Sequence, residues 1–523
     1  MARYKRYNYS QMVMLPVSLE NQLMSGTLEH AIHEVVETKI DTSIFESKYN
    51  NEETGSPAYD PKLLLKVILL AYSRGIIGSR RIERVCKENI TFMAISCGMA
   101  PDHSTIASFV SSMKDEIIKI FRDILLYCEE LNLLGGSHFS LDGCKLSSNV
   151  SKEWSGTFKE LNHKRNKLEK KVRKLIYEHE REDKGKSADG RKANQIKRIT
   201  QKIDRIDKFL KENEPKKGKT KKEIQSNVTD NESAKMPTSH GVIQGYNSQA
   251  LVDDKHQVIV HAEAMGNGQD HDNLKPMLDG AKETMKEIGR GEDYFSGKQL
   301  SADANYHNEK NIKRCEAEKI DAYIPDIGFR KRDERYKNQE RFKDGVTKRP
   351  KKKSNKQKSR KGMFTWEEFQ YDEEKNKYIC PNGKCLSQQS LHHKSRHKEY
   401  EYYRSKESDC KECPLKSKCI IREDGKTRGL LIPKGYLKNK HLTHSQKMQQ
   451  KIDTDIGKEI YSKRLGTIEP VFANIRSQKR LDRFTYRGKV KVNIQWLLYC
   501  MVHNIEKICN TSASLSTGYG LAK

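Results

Sequence analysis

Three carboxylates stand where acids are seldom casual. Asp142 ends the short apolar run His138-Phe-Ser-Leu and is followed by Gly143. Asp303 follows Leu300-Ser-Ala. Glu469 heads an amphipathic segment carrying Ile468, Phe472 and Ile475. The chain holds 71 acids, and any single acid at a strand end is more often a turn residue. Three in such settings can share one chemistry. Carboxylates are hard oxygen ligands suited to Mg²⁺ or Mn²⁺. Two such ions roughly 3.5–4 Å apart support an in-line displacement at phosphorus. In that arrangement Asp142 bridges both ions, and Asp303 and Glu469 hold one each.

A second set of residues points to a different metal. Cys410-Lys-Glu-Cys413 is a CxxC pair, Cys419 follows, and Cys380 precedes in Ile-Cys-Pro-Asn-Gly. Four thiolates make a closed tetrahedral structural Zn²⁺ site with no open catalytic position. Cys385 is an alternative to Cys380, and free reduced thiols are the other reading. The chain has twelve cysteines, unevenly spaced, and its N-terminus lacks the apolar core of a secretory signal. A disulfide framework is therefore not expected.

The chain carries a net charge of +28 over 523 residues, a field that attracts polyanions. Nucleic acid is the expected partner, since Lys and Arg neutralise phosphates. No apolar run is long enough to span a membrane.

The elements that must position these residues follow from periodicity. Residues 1–55 read as a lead-in. Pro61 opens a helix whose apolar face is Leu64, Val67, Ile68 and Ala71, broken by Gly75 and Gly78. Ser79 is placed to cap a second helix with Ile82 and Val85, and Ser104 a third with Ile106, Phe109 and Met113. Arg80, Arg81 and Arg84 lie between them, so residues 56–130 read as a helical DNA-binding unit or as a plain bundle.

A strand is expected at 138–142, then a Lys-rich helical hairpin from Thr157 to Glu212, broken near Asp183–Gly190. It is either a solvated charged hairpin or a clamp on a DNA backbone. Strands follow at Gln244–Leu251 and Gln257–Ala264, then a helix with Leu274, Met277, Leu278, Ala281 and Met285. A strand at Leu300–Asp303, a helix with Ile312 and Cys315, and a strand at Ala322–Pro325 complete an α/β sheet of mixed pairing. Thr347–Lys361 holds nine Lys or Arg among fifteen residues and reads as a disordered or DNA-tracking loop. The last apolar helix spans about Val490–Ile508, followed by a loose tail at 511–523.

These strings, in this order, resemble bacterial insertion-sequence DDE transposases with an InsH-like N-terminal domain. Tyr59-Asp-Pro-Lys-Leu-Leu-Leu-Lys through Arg80-Arg-Ile-Glu-Arg-Val-Cys to Phe109 is similar to that domain. Leu141-Asp-Gly-Cys-Lys145 and Ala302-Asp-Ala-Asn-Tyr306 resemble the two Asp motifs, and Gly245-Tyr-Asn-Ser-Gln249 the second-strand motif. Tyr461 through Arg464 and Glu469 to Arg476 resembles the Tyr-Arg-Glu-Lys signature. Here four residues separate Arg464 from Glu469, and the final Lys is Arg476.

The resemblance implies a ribonuclease-H-like core over 135–510 with Asp142, Asp303 and Glu469 as the catalytic triad. It implies insertions at 151–235 and 326–440, the second holding the cysteines. Cleavage at element ends and strand transfer into target DNA are implied, with Lys145, Tyr461, Arg464 and Arg476 near the DNA. A homodimer or larger synapse on double-stranded DNA, in the bacterial cytoplasm at the nucleoid, goes with that activity. A transposase-derived DNA-binding protein and a nuclease of the same fold are the alternatives. Lys145 and Arg476 are equally readable as surface cations. Pro470 fits only the first turn of a helix, so a helix start or kink is predicted there. His271 is read as a helix cap or DNA contact, and His103 as structural.

Overall fold

The computed structural model describes residues 18–49, 57–182, 190–218, 222–238, 241–336, 363–364, 368–372, 375–395, 398–420, 424–433 and 443–516. The chain divides into two compact units, Met1–Phe329 with Met448–Lys523, and Arg330–Lys447. The basic run Thr347–Lys361 lies outside the described residues.

The first unit begins with helices. Residues read as a lead-in hold α1 (Leu28–Thr38), capped by the Thr27 side chain. Helix α2 (Pro61–Ser73) starts with Pro61 in its first turn and Asp60 as cap, and it is buried continuously from Leu63 to Tyr72. Helix α3 (Ser79–Glu88) is capped at Gly78, so Ser79 is already helical. Helix α4 (Ile90–Ile95) is capped by Asn89. Helix α5 (His103–Ser112) is capped by Asp102 rather than Ser104. The Asp102 carboxylate accepts the Ser104 and Thr105 N–H groups, the geometry an N-cap acid satisfies best. Helix α6 (Glu116–Glu130) leads to the sheet.

Strand β1 (His138–Ser147) is twice the expected length. The predicted hairpin follows as α7 (Phe158–Glu182) and α8 (Gly190–Glu212), with Leu161, Ile206 and Phe209 as its small core. Then come β2 (Ala234–Thr238), β3 (Gly241–Asp253), β4 (Ile259–Met265), α9 (Leu274–Glu287), β5 (Gln299–Ala302), α10 (Glu309–Ala317) and β6 (Asp321–Tyr323). The sheet order is β4-β3-β1-β5-β6, with β2 paired to the first half of β3. Strands β3 and β4 pair antiparallel, as do β3 and β1, while β1, β5 and β6 run parallel. The mixed pairing expected from the element order is present.

The second unit contains a five-stranded antiparallel meander where only a loop and cysteines were expected. Its strands are β7 (Gln370–Asp372), β8 (Lys377–Ile379), β9 (Cys385–Ser395), β10 (Lys398–Ser405) and β11 (Gly429–Pro433). Phe369, Tyr378, Leu386, Tyr403, Leu430 and Ile432 form its core. Strands β7 and β8 have only three residues each, and each of β8 to β11 adds only one or two side chains to that core.

The chain closes the first unit with α11 (His444–Asp453), α12 (Asp455–Ala473) and α13 (Lys489–Ser516). Helix α13 extends past the expected end into the stretch read as tail. It packs against β4 and against α1, α2 and α6, joining the N-terminal helices to the sheet. Strand β4 is an edge whose outer backbone groups need partners. Asn504 accepts from the Ile259 N–H at 2.9 Å and donates to its carbonyl at 2.9 Å. Asn493 does the same for Ala264, at 2.7 and 3.1 Å. Five residues of strand and eleven of helix both span roughly 16 Å, so the two amides meet the edge in register.

Candidate active site

Asp142 does not end its strand, contrary to expectation; β1 runs on to Ser147. What ends there is the neighbour. Pairing of β1 with β5 stops at Leu141 and Ala302, and the chain then leaves the sheet through a 3₁₀ turn at Ala304–Tyr306. Asp142, within β1, and Asp303, just past the carboxyl end of the parallel β5, therefore sit side by side. Strand alternation places Asp142 and Cys144 on one face, and Gly143 and Lys145 on the other.

Helix α12 covers the Asp142 face. Arg464, 3% exposed, donates from Nη1 to Asp142 Oδ2 at 2.7 Å. Burial pushes the Asp142 carboxyl up to about 6. Arg464 opposes that rise, Asp303 adds to it by like charge, and the Gly143 N–H holds Oδ1 at 2.8 Å. Burial works against the Arg464 charge, yet Asp142, Tyr461 and Asp303 keep the guanidinium firmly protonated. Tyr461 is buried, its ring edge-on to Phe329 at 5.4 Å, and Arg464 lies 5.7 Å from its centroid.

Glu469 is exposed on α12. The helix does not start at Pro470; it runs through to Ala473 and widens into a π turn at Asn474–Gln478. Pro470 has no N–H for the Gly466 carbonyl four residues earlier. Gln257 Nε2 donates to that carbonyl instead, at 2.9 Å. Glu469 shares the face of Asp142. The buried Cys144 thiol is pushed up to about 11 by burial; Arg476 lowers it, partly by a hydrogen bond, while Asp142 and Glu469 raise it. Arg476 itself is exposed in the π turn.

Asp270 is a residue the sequence reading passed over in favour of its neighbour His271. It is 7% exposed. Its Oδ1 accepts from Asn247 at 2.6 Å and Gln249 at 3.1 Å, and its Oδ2 from Asn305 at 3.4 Å. Asn305 donates also to Asp303 Oδ2 at 3.1 Å, so the amide bridges the two acids. Tyr306 donates its hydroxyl to Gln249 Oε1. Gly143 makes room for this network: a Cβ there would overlap the Gln249 amide and approach Asn247 Oδ1 to 2.5 Å. Amides at alternate positions of a buried strand were the available signal.

The remaining candidates fall elsewhere. Arg80, Arg81 and Arg84 are exposed on α3, opposite buried Ile82 and Cys86. Lys145 is on the sheet face turned away from Asp142. His271 does not cap α9, whose N-cap is Asn273; its carbonyl accepts from Asn308 and Asn311. His103 Nδ1 meets Glu83 Oε2 at 2.9 Å, tying α5 to α3 as a structural residue.

In the second unit Cys380, Cys410, Cys413 and Cys419 are partly buried, whereas Cys385 is exposed; all are free thiols. Burial raises the Cys419 thiol, Arg428 lowers it, and Cys410, Cys380 and Cys413 raise it further. Cys380 Sγ accepts the Lys384 N–H at 3.3 Å across a turn closed by Gly383 N–H to Cys380 O at 2.8 Å. Among the described residues no group of three or more His, Cys, Asp or Glu is drawn close enough to hold a metal ion. That statement covers the cysteines and the three acids alike.

The first unit is thus mixed α/β, with Asp142 and Asp303 abreast where β5 ends. Residues 17–112 match the transposase domain DUF772, and residues 379–509 match the transposase DDE domain. These matches indicate an insertion-sequence DDE transposase. The second match takes in the cysteines, Tyr461, Arg464, Glu469 and Arg476; Asp142 and Asp303 lie outside both. No curated protein and no solved structure matches the chain. No helix among the described residues is long and apolar enough to cross a membrane.

Proposed function

We propose that the protein cleaves DNA at the ends of an insertion sequence and joins those ends to target DNA, with Asp142, Asp303 and Glu469 as its catalytic acids. The observation that carries this reading is the pairing of Asp142 with Asp303. Two carboxylates compete for charge beside one arginine, and the Asp142 carboxyl is pushed up to about 6. Such a pair fits a hard divalent cation, which relieves the repulsion that burial intensifies. The strand order and pairing support a ribonuclease-H-like core.

Asp142 and Asp303 would hold Mg²⁺ or Mn²⁺, with Glu469 supplying a further oxygen from α12. Two bound ions supply activation of the attacking oxygen and charge neutralisation at the leaving one. The chain's own residues do the positioning. Arg464 orients Asp142, Asn305 orients Asp303, and Asp270 orients Asn305. Arg476 stands exposed beside them as a phosphate contact. Water attack frees a 3′-hydroxyl at the element end, and that hydroxyl attacks the target strand. Two ends must be joined at one place, so a homodimer or larger synapse on double-stranded DNA goes with the reaction, in the bacterial cytoplasm. Lys145 lies on the face of β1 opposite Asp142 and is assigned no role at the reacting phosphate.

The Cys380, Cys410, Cys413 and Cys419 thiols would hold a structural Zn²⁺. Mutual repulsion raises the Cys419 thiol, and a bound cation would relieve that repulsion and hold the four as thiolates. Elemental analysis should find close to one zinc per chain, lost on Cys413→Ser; folded, zinc-free protein would remove the assignment. Arg80, Arg81 and Arg84 on exposed α3 are proposed to contact element ends. Arg80→Ala should weaken that binding, and unchanged affinity at moderate salt would count against it.

The deciding assay is cleavage of DNA carrying the gene's own flanks, with Mg²⁺ or Mn²⁺, comparing wild type with Asp303→Asn. Metal-dependent nicking at defined positions, absent in the variant, supports the triad, and joined products separate transposase from nuclease. Binding without cleavage by either protein would favour a DNA-binding protein derived from a transposase.

A further inference from the structure

The α7–α8 hairpin inserted after β1 carries a cavity of about 380 Å³, lined by Lys171, Arg198, Lys202, Arg205 and Trp154. Arg198, Lys202 and Arg205 recur at helical spacing, so they form one stripe along α8. The stripe borders the buried seam of Ile199, Ile203, Ile206 and Phe209, one position further along the chain. Lys171 approaches from α7. No acid lines the cavity, and none of the four cations has an ion-pair partner among the described residues. Elsewhere on the hairpin acids stand beside some of the cations: Arg165 pairs with Glu169 and Asp207, Lys174 with Glu178, and Lys208 with Glu212. Four concentrated positive charges left without counter-charges repel one another, and a polyanion relieves that repulsion.

The root of the hairpin is tied to the sheet. The Trp154 carbonyl accepts the Val228 N–H at 3.0 Å, and Ser155 Oγ donates to Gln244 Oε1 of β3 at 3.2 Å. Trp154 also packs against the hairpin core.

We propose that this stripe is a binding surface for the phosphate backbone of double-stranded DNA, separate from the acids and from α3. The inference rests on the transposase reading and adds a third DNA contact to it. Charge complementarity names the occupant: three cations along one helix face suit consecutive phosphates and carry no sequence information.

The test is binding of full-length protein to a duplex lacking the element's flanks, across a salt series. Arg198→Gln, Lys202→Gln and Arg205→Gln together should lower affinity roughly tenfold or more and reduce the slope of log K against log salt by about 2.7. The comparison is a second triple variant, Lys159→Gln, Lys167→Gln and Lys170→Gln, which alters exposed α7 lysines outside the cavity and the same net charge. A slope change of less than one is expected there. Equal losses in the two triples would reduce the effect to net charge and overturn the site; an unchanged slope in the first triple would overturn it outright. Both triples are repeated on Asp303→Asn. The binding loss should persist on that background, so failure of the stripe and failure of the catalytic reading are told apart.

Discussion

Arg464 and Asp142, 322 residues apart in the chain, meet at 2.7 Å across the interface between α12 and β1. The arginine is buried and the aspartate nearly so. In the folded protein Asp142 binds its proton more tightly than in the unfolded chain, where carboxyls titrate near 3.9. That contribution is full below the unfolded range and is lost as pH rises through about 6. In Arg464→Met the carboxylate loses this ion pair, so its pKa should climb further. The variant should lose about 3 kcal/mol at pH 8 and clearly less at pH 5, where the carboxyl is protonated. Urea melts at the two pH values check this; the same loss at both would refute the coupling.

Gly143→Ala tests the amide network. The added methyl group must displace the Gln249 amide, loosening Asn247 and Gln249 from Asp270. A loss of roughly 1–3 kcal/mol is expected from overpacking. Cleavage should fall by more than the unfolded fraction accounts for, because Asn305 links Asp270 to Asp303. Full specific activity in the folded variant would show that the network does not position Asp303.

The continuity of α12 through Pro470 rests on Gln257. Gln257→Ala should cost about 1 kcal/mol by leaving the Gly466 carbonyl without a donor. In Pro470→Ala, where a backbone N–H returns, the same substitution should cost less than half as much. Additive effects in the double-mutant cycle would separate the two residues.

Asn504→Leu strips partners from both the N–H and the carbonyl of Ile259. About 3 kcal/mol should be lost. Asn493→Leu should act independently on Ala264, since the two sites lie about 16 Å apart along the helix. Chemical denaturation of both single variants and the double would expose any departure from additivity above about 0.5 kcal/mol.

His503 supplies an acid limb. Burial pulls its imidazole down to about 3, with Lys507 adding to the effect and a hydrogen bond to the Gln257 carbonyl opposing it. Neutral His503 is favoured in the fold, so stability is full above the unfolded histidine range and falls as pH drops from about 6.5 toward 3. Wild type should lose roughly 2 kcal/mol through this residue between pH 7 and 5. Asp142 acts with the opposite sign over part of that range, so the readout is the difference in pH slope between wild type and His503→Gln. Identical slopes would mean that His503 does not titrate differently on folding.

Much of this protein was legible in its chain. The periodicity of Leu64, Val67, Ile68 and Ala71 defines α2, and the Leu/Ile spacing between Thr157 and Glu212 defines the hairpin, because local repeats alone decide which face is apolar. The acids Asp142 and Asp303 stand out for the same reason, as charges closing apolar runs. Their adjacency was decided only by tertiary structure: β5 stops at Ala302 beside Leu141, so Asp303 leaves the sheet level with Asp142, which stays in β1. Asp270 gave no local sign, since its three amide donors come from β3 and from the turn after β5. Pro470 read as a break because its missing N–H is local, while the donor that compensates for it, Gln257, lies 209 residues from the Gly466 carbonyl it serves. Periodicity reports the solvent each residue faces; which two distant groups share a hydrogen bond depends on strand lengths and helix register, and these are settled only when the whole sheet is assembled.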